Sequence, residues 1–136
     1  MTTLLRAVAF GIGAALAASC ATTPPPSSGR SEGLLTLAPS QTSPVEGESL
    51  RVRFDGVQND SRCPADAACI QAGEAVVDIT VVAADGGRQS YELHTTGATS
   101  VLHAGVTIAL EGLEPRPVSS RPIRPADYRL TLRVRR

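Results

Sequence analysis

The sequence predicts an all-β fold, namely an antiparallel β-sandwich of about seven strands with an immunoglobulin-like Greek-key topology. Three observations lead to this prediction. Apolar and polar residues alternate with period two in several short segments, turn residues separate these segments, and no stretch beyond residue 32 has the spacing of an amphipathic helix. A small β-barrel is the alternative arrangement of the same strands.

Short apolar runs mark the individual strands. The predicted strands cover residues 49–54, 75–82, 89–94, 99–102, 106–110 and 128–134. The side chains predicted to face the core include Leu50, Val52, Phe54, Val77, Ile79, Val81, Tyr91 and Leu93. Asp85-Gly86-Gly87 predicts a hairpin, and Ala104-Gly105 predicts another turn.

The composition argues against nucleic acid as a partner. The formal net charge is zero, every basic residue is Arg, and only 3% of the residues are aromatic. The chain therefore lacks both a general basic surface and a platform for stacking bases. Arginine is nevertheless concentrated near the C-terminus, where Asp127 is the one acidic residue: Arg116, Arg121, Arg124, Arg129, Arg133, Arg135 and Arg136. We expect a solvated strand face and a frayed tail here.

The N-terminal segment has the pattern of an export signal. Arg6 precedes an apolar run over residues 7–16, and small residues then lead to Cys20. This pattern resembles the bacterial lipoprotein signal, although Ala17 stands where that signal usually has Leu. The resemblance implies that residues 1–19 are removed and that Cys20 is joined to diacylglycerol. An ordinary secretory signal with a free Cys20 thiol, or an uncleaved helical anchor, are the alternatives.

Residues 20–32 are predicted to be a Pro/Ser-rich tether, and residues 33–136 to be the sandwich domain. Three consecutive prolines, Pro24 to Pro26, favour polyproline II, and no residue of this segment suits a core. Ala21 follows the lipidation site, whereas many lipoproteins retained in the inner membrane have Asp there. The resemblance therefore implies a lipid-anchored protein of the outer membrane, facing the periplasm.

The remaining cysteines are predicted to pair after export. If Cys20 carries lipid, Cys63 and Cys69 are left to oxidise together, which adds one small disulfide loop to the predicted fold. They lie too close in sequence to join opposed sheets. In the chain-entropy model so short a loop contributes only about 2 kcal/mol, so we expect its main effect to be local. A redox-active pair and a zinc site are the alternatives.

The segment around these cysteines resembles a family of uncharacterised bacterial secreted proteins and lipoproteins. The residues that carry the resemblance are Asp60-Ser61-Arg62-Cys63-Pro64 and Cys69-Ile70-Gln71-Ala72-Gly73. Members of this family have the pattern DSRCP…C-[IV]-W-x-G between two strands, and Gln71 stands here in place of the Trp. The similarity extends over nearly the whole mature domain. It implies the fold and the disulfide, and it implies no activity.

Metal-binding residue types are present, but their spacing is poor. Asp55, Asp60 and Asp66 could bind calcium, although we expect turn capping and a local ion pair between Asp60 and Arg62 instead. His94 and His103 could meet across a hairpin, but two ligands make a weak transition-metal site.

We therefore expect a non-catalytic envelope lipoprotein that acts as a binding or structural module and needs no cofactor. Its expected partners are the membrane, through the lipid, and an envelope protein. The candidate partner-binding loop contains Asp60, Arg62, Asp66 and Gln71. A small periplasmic metal-dependent enzyme that uses Asp60, Asp66 and a histidine is one alternative. An inhibitor of an external hydrolase, with the loop as a plug, is another.

Overall fold

A computed structural model describes residues 32–136, which form eight β-strands. The strands are β1 (Glu32–Leu37), β2 (Thr42–Pro44), β3 (Leu50–Asp60), β4 (Ala75–Ala83), β5 (Arg88–His94), β6 (Ser100–His103), β7 (Val106–Glu114) and β8 (Arg129–Arg135). One turn of 3-10 helix covers Pro125–Asp127. The predicted signal peptide, Cys20 and the tether up to residue 31 lie outside the described residues. Within residues 32–136, no helix is long and apolar enough to cross a membrane.

Two antiparallel sheets form the predicted sandwich. One sheet has the order β1-β8-β7-β6 and the other has the order β2-β3-β4-β5. The all-β sandwich is therefore confirmed, but its strand order is a meander and not the expected Greek key. Consecutive strands are hydrogen-bonded neighbours except at the β1–β2 and β5–β6 connections, where the chain changes sheets. Short turns such as Ala104-Gly105 keep consecutive strands adjacent, so no strand is inserted between them.

The core lies between the two sheets and contains only apolar side chains and one tyrosine. Its largest fully buried side chains are Phe54, Leu37, Ile79, Leu93, Ile108, Leu130 and Leu132. Every side chain predicted to face inward is buried except Tyr91, which is partly buried and packs against the core. Burial alternates strictly along β8, as the period-two pattern predicts.

Three features of the strands differ from the sequence prediction. No strand is predicted from the sequence in the region of β1 and β2, and Glu32, predicted to belong to the tether, is the first residue of β1. Strand β3 continues to Asp60, beyond the predicted end at residue 54. Register shifts between Phe54 and Gly56 and between Val57 and Asn59 break its alternation while β3 stays paired with β4.

The meander places the two longest loops at the same end of the sandwich. Residues 61–74, which we call the disulfide loop, follow β3, and residues 115–128, the β7–β8 loop, precede β8. Glu32 pairs with Arg135 at the opposite end of β8. Because a strand rises about 3.3 Å per residue, β8 separates Glu32 from the two loops by roughly 20 Å. The predicted tether therefore joins the domain at the end away from the disulfide loop.

The arginines of β8 pair with acidic residues from other strands. Arg133 binds Glu111 through two nitrogens at 2.8 and 2.6 Å, and it also binds Glu32 at 2.7 Å. Arg136, the last residue, binds Glu48 at 2.9 Å. The expectation of a frayed tail was wrong, because it counted only the charges near the C-terminus in sequence. The expectation of a solvated strand face is met only in part. The arginines of β8 are in contact with solvent, but they also form ion pairs.

Candidate functional site

The disulfide loop is closed at its base by contacts between Ser61 and Glu74. The Ser61 N–H and hydroxyl donate to the Glu74 carbonyl oxygen at 2.8 and 2.9 Å. The Ser61 hydroxyl oxygen accepts from the Glu74 N–H at 3.2 Å. Glycine is required at position 73, because a Cβ there would overlap the Ser61 carbonyl. These contacts hold the two ends of the loop together, next to the pair formed by the last residue of β3, Asp60, and the first residue of β4, Ala75.

The predicted disulfide joins Cys63 to Cys69, and both cysteines belong to this one loop. The loop is also bound to the β7–β8 loop. The Ala65 N–H donates to the Pro117 carbonyl oxygen at 2.9 Å. Asp66 accepts from the Ser119 N–H at 2.8 Å and from the Ser119 hydroxyl at 3.1 Å. The two loops therefore form one surface, which we call the loop face.

An ion pair between Asp60 and Arg62 fixes the start of the disulfide loop. Arg62 Nε and Nη2 donate to the two Asp60 carboxylate oxygens at 2.8 and 2.7 Å, and the Tyr128 hydroxyl donates to Asp60 Oδ2 at 3.0 Å. The Asp60 and Arg62 side chains are only 8% and 14% exposed. The remaining Arg62 donors reach the backbone carbonyls of Leu113 and Pro115. The predicted pair is thus confirmed, and it also joins the two sheets.

Electrostatics in this cluster favour the charged forms of Asp60 and Arg62. Burial by itself raises the pKa of Asp60, but hydrogen bonds from Arg62 and Tyr128 outweigh burial and set it below its usual value. The hydrogen bond with Asp60 likewise raises the pKa of Arg62. Burial, together with the bond to Asp60, raises the pKa of Tyr128 to about 12. At neutral pH the cluster is therefore a charged pair with a neutral phenol.

The tip of the loop face carries an apolar side chain in water. Ile70 is fully exposed, and Val118 on the neighbouring β7–β8 loop is 36% exposed. Gln71, which the sequence analysis includes among the candidate binding residues, is exposed beside Ile70. Of the other candidates, Asp60 and Arg62 support the loop from inside. Asp66 is exposed but binds Ser119.

The predicted metal-binding candidates have separate partners. Asp55 accepts from the Thr80 hydroxyl at 2.6 Å, away from the pairs formed by Asp60 and Asp66. His94 Nδ1 lies 3.2 Å from Glu74 Oε2, and His103 Nδ1 lies 2.8 Å from the Tyr91 hydroxyl. Among residues 32–136, no three His, Cys, Asp or Glu side chains are placed to hold a metal ion. The geometry thus gives no support to the calcium and histidine hypotheses.

Sequence reasoning missed the contribution of the β7–β8 loop. Ser119, which binds Asp66, carries no recognisable motif, and Tyr128 was assigned only to the last strand. Ile70 belongs to the segment that carries the family resemblance, but it is not among the predicted binding residues.

Comparison of the chain with protein-family models, with curated proteins and with solved structures finds no match. The resemblance to the secreted family therefore stays a prediction. The case for a function depends on the geometry of the loop face and on the N-terminal sequence pattern.

Replacing Arg62 tests the importance of the buried pair. Arg62→Gln leaves the Asp60 carboxylate buried without its counter-ion, so we expect the free energy of unfolding to fall by about 3 kcal/mol. The control is Arg124→Gln. Arg124 pairs with Asp127 at 2.8 Å but is 80% exposed, so solvent screens the pair and its replacement should cost much less than that of Arg62. Urea unfolding monitored by circular dichroism measures both, and equal losses would contradict the assignment.

Acid should weaken the fold partly through Asp60. Because the pKa of Asp60 is lowered in the folded state, its stabilising effect is complete above the unfolded value, about 3.9, and is lost as the pH falls through the folded value. Asp60→Asn should therefore lose less stability than the wild type between about pH 5 and pH 2.

The control for this measurement is Asp127→Asn. The pKa of Asp127 is also lowered, chiefly by its hydrogen bonds with Arg124, but this pair is exposed and screened by solvent. Urea unfolding across the acid range compares the variants. An acid profile of Asp60→Asn that matches the wild type would show that this carboxylate does not govern the loss.

Proposed function

We propose that the chain is an exported lipoprotein, anchored through Cys20 in the outer membrane, whose sandwich is a non-catalytic binding module facing the periplasm. The signal-like pattern ending at Cys20 supports the export and lipid anchor. The disulfide between Cys63 and Cys69 fits an oxidising compartment, because cytosolic thiols are kept reduced. In this proposal the module binds an envelope protein through the loop face.

The observation that carries the binding role is the exposure of Ile70 on a constrained loop. Ile70 is fully exposed, and its loop is held by the disulfide, by the Ser61–Glu74 contacts and by the Asp60–Arg62 pair. Burying one isoleucine in an interface is worth roughly 1.5–3 kcal/mol. Because the loop is already ordered, little of that gain is spent on fixing its backbone.

The position of the loop face relative to the chain entry supports the same role. Glu32 enters the sandwich at the end of β8 away from the loop face. With an anchor at Cys20, the membrane attaches on the Glu32 side, and the loop face points toward the periplasm. A protein in the periplasm can then reach Ile70 without being bound to the anchoring membrane.

An inhibitor of an external hydrolase is a second candidate, and one observation favours it. A short disulfide-closed ring followed directly by an exposed apolar side chain has the form of a plug for an active-site cleft. By contrast, the positions of the side chains do not favour the metal-dependent enzyme, because Asp60 and Asp66 are engaged with Arg62 and Ser119.

The lipid anchor is tested at Cys20. In bacterial cells the wild-type protein should fractionate with membranes, and its intact mass should show a diacylglyceryl-modified N-terminal cysteine and one disulfide. Cys20→Ser should lack the lipid and appear in the soluble periplasmic fraction. An unmodified N-terminus with three reduced thiols in the wild type would refute the proposed anchor and compartment.

The binding role is tested by photo-crosslinking in intact cells. A photoreactive amino acid placed at Ile70 should trap a distinct protein in the envelope, because this side chain is expected to be buried in the complex. The matched control places the same group at Ala84, which is exposed in the β4–β5 turn at the opposite end of the sandwich. Adducts identified by mass spectrometry would separate a structural partner from a hydrolase. Equal or absent crosslinking at the two positions would count against the loop face.

A further inference from the structure

A groove runs along the β7–β8 loop, which is hydrogen-bonded to the disulfide loop. Its apolar lining comes from Pro115, Val118, Pro122 and Ile123. Val118 forms an isolated β-bridge with Arg121, so the loop doubles back on itself and leaves these side chains along one side. None of this lining is needed to complete the sandwich core, apart from Ile123, which packs partly against it.

Two arginines at the groove form no salt bridge among residues 32–136, although Arg121 lies near enough to Asp127 to lower the pKa of that carboxyl slightly, after the larger effect of Arg124. Arg116 and Arg121 both line the groove, and both are exposed. Neither forms a salt bridge within the described part of the chain, whereas Arg124 in the same groove is paired with Asp127. The contrast with Arg133, Arg135 and Arg136 is informative, since each of these has a carboxylate partner supplied by another strand or turn.

From this arrangement we propose that the groove binds an extended acidic segment of a protein partner, with apolar residues between its carboxylates. This inference rests on the proposed function and names the chemistry of its partner. The guanidinium groups of Arg116 and Arg121 would bind the carboxylates, and the lining formed by Val118, Pro122 and Ile123 would bury the apolar side chains between them. Arginine suits this role because its planar donors match a carboxylate with two hydrogen bonds.

The groove fits a protein segment better than an anionic polysaccharide or nucleic acid. Its lining has more apolar than polar surface and includes no aromatic side chain, so a sugar or a base finds no ring to stack on. Two unpaired arginines in a chain of zero net charge do not make the dense basic surface that a polyanion needs. A few carboxylates separated by apolar residues match both the charge and the lining.

The groove is already held in shape by the disulfide loop. Hydrogen bonds from Ser119 to Asp66 and from Ala65 to Pro117 fix the β7–β8 loop against its neighbour on either side of Val118. Ile70 lies on that neighbouring loop, and in this proposal the bound segment extends from the groove onto it. Because the groove is already formed, binding does not have to order its backbone. Only the partner segment then loses conformational entropy.

Fluorescence anisotropy tests the proposal with the lipidated protein purified in detergent. The probe is a labelled peptide of alternating glutamate and valine, and the reference peptide has glutamine in place of every glutamate. We expect the double variant Arg116→Gln/Arg121→Gln to bind the glutamate peptide about tenfold more weakly than the wild type, with a smaller salt dependence. The control is Arg51→Gln/Arg88→Gln, which removes the same charge from two exposed arginines that form no salt bridge within residues 32–136. The control should bind like the wild type.

The proposal is overturned by any of three results: no binding of the glutamate peptide, equal binding of the glutamine peptide, or equal weakening in the control variant. Heparin serves as a probe for polyanions, and tighter binding of heparin than of the peptide would also overturn it. The same double variants are then compared in the Ile70 crosslinking experiment. If Arg116→Gln/Arg121→Gln leaves the Ile70 adduct unchanged, the acidic-segment proposal fails while the binding module stands. If the wild type gives no adduct, the proposed function itself fails.

Discussion

Arg62 places a guanidinium group between the two sheets, where its donors reach a carboxylate on β3 and backbone carbonyls at the end of β7. The pair with Asp60 is 8% and 14% exposed, so both charges have lost most of their water. Only the full set of hydrogen bonds, including the one from Tyr128, makes such burial favourable. This polar cluster therefore helps to set the position of both loops of the loop face relative to the core, together with the contacts between the loops.

The meander topology explains why this cluster can act on two loops at once. Strands that are neighbours in sequence are neighbours in space, so alternate connections lie at alternate ends of the sandwich. The connections after β3 and after β7 are the long ones, and both lie at the end opposite Glu32. The connections at the Glu32 end, after β2, β4 and β6, are all short. The strand order thus separates the point of chain entry from the surface that carries Ile70.

The sequence predicts the core well because burial in a sandwich follows a local rule. Period-two alternation alone identifies Val77, Ile79 and Val81, and each is fully buried. Strand order is harder, since the same alternating segments suit a Greek key and a meander, and only long-range hydrogen bonding distinguishes them. The short strand β2 has almost no pattern of its own: its three residues include Pro44, and it is defined by pairing with β3.

In the candidate site, too, local contacts could be predicted from the sequence and long-range contacts could not. Asp60 and Arg62 are two positions apart in the sequence, so their pairing could be predicted. Tyr128 is distant in sequence and is brought to the pair only by the fold. Counting charges along the chain likewise predicts a basic C-terminal stretch, but carboxylates from β1, β7 and the β2–β3 turn neutralise Arg133, Arg135 and Arg136.

Carboxylates of other strands do not neutralise every arginine near the C-terminus. Arg116 and Arg121 keep their charge beside an apolar groove, and Ile70 keeps its apolar surface in water. A free surface gains nothing from either feature, because single exposed charges add little to stability and an exposed isoleucine adds none. Covering Ile70 with a second molecule is favourable, whereas the arginines gain only if that molecule supplies carboxylates. Their location on the two hydrogen-bonded loops next to Arg62 is what supports the proposed binding role of this face.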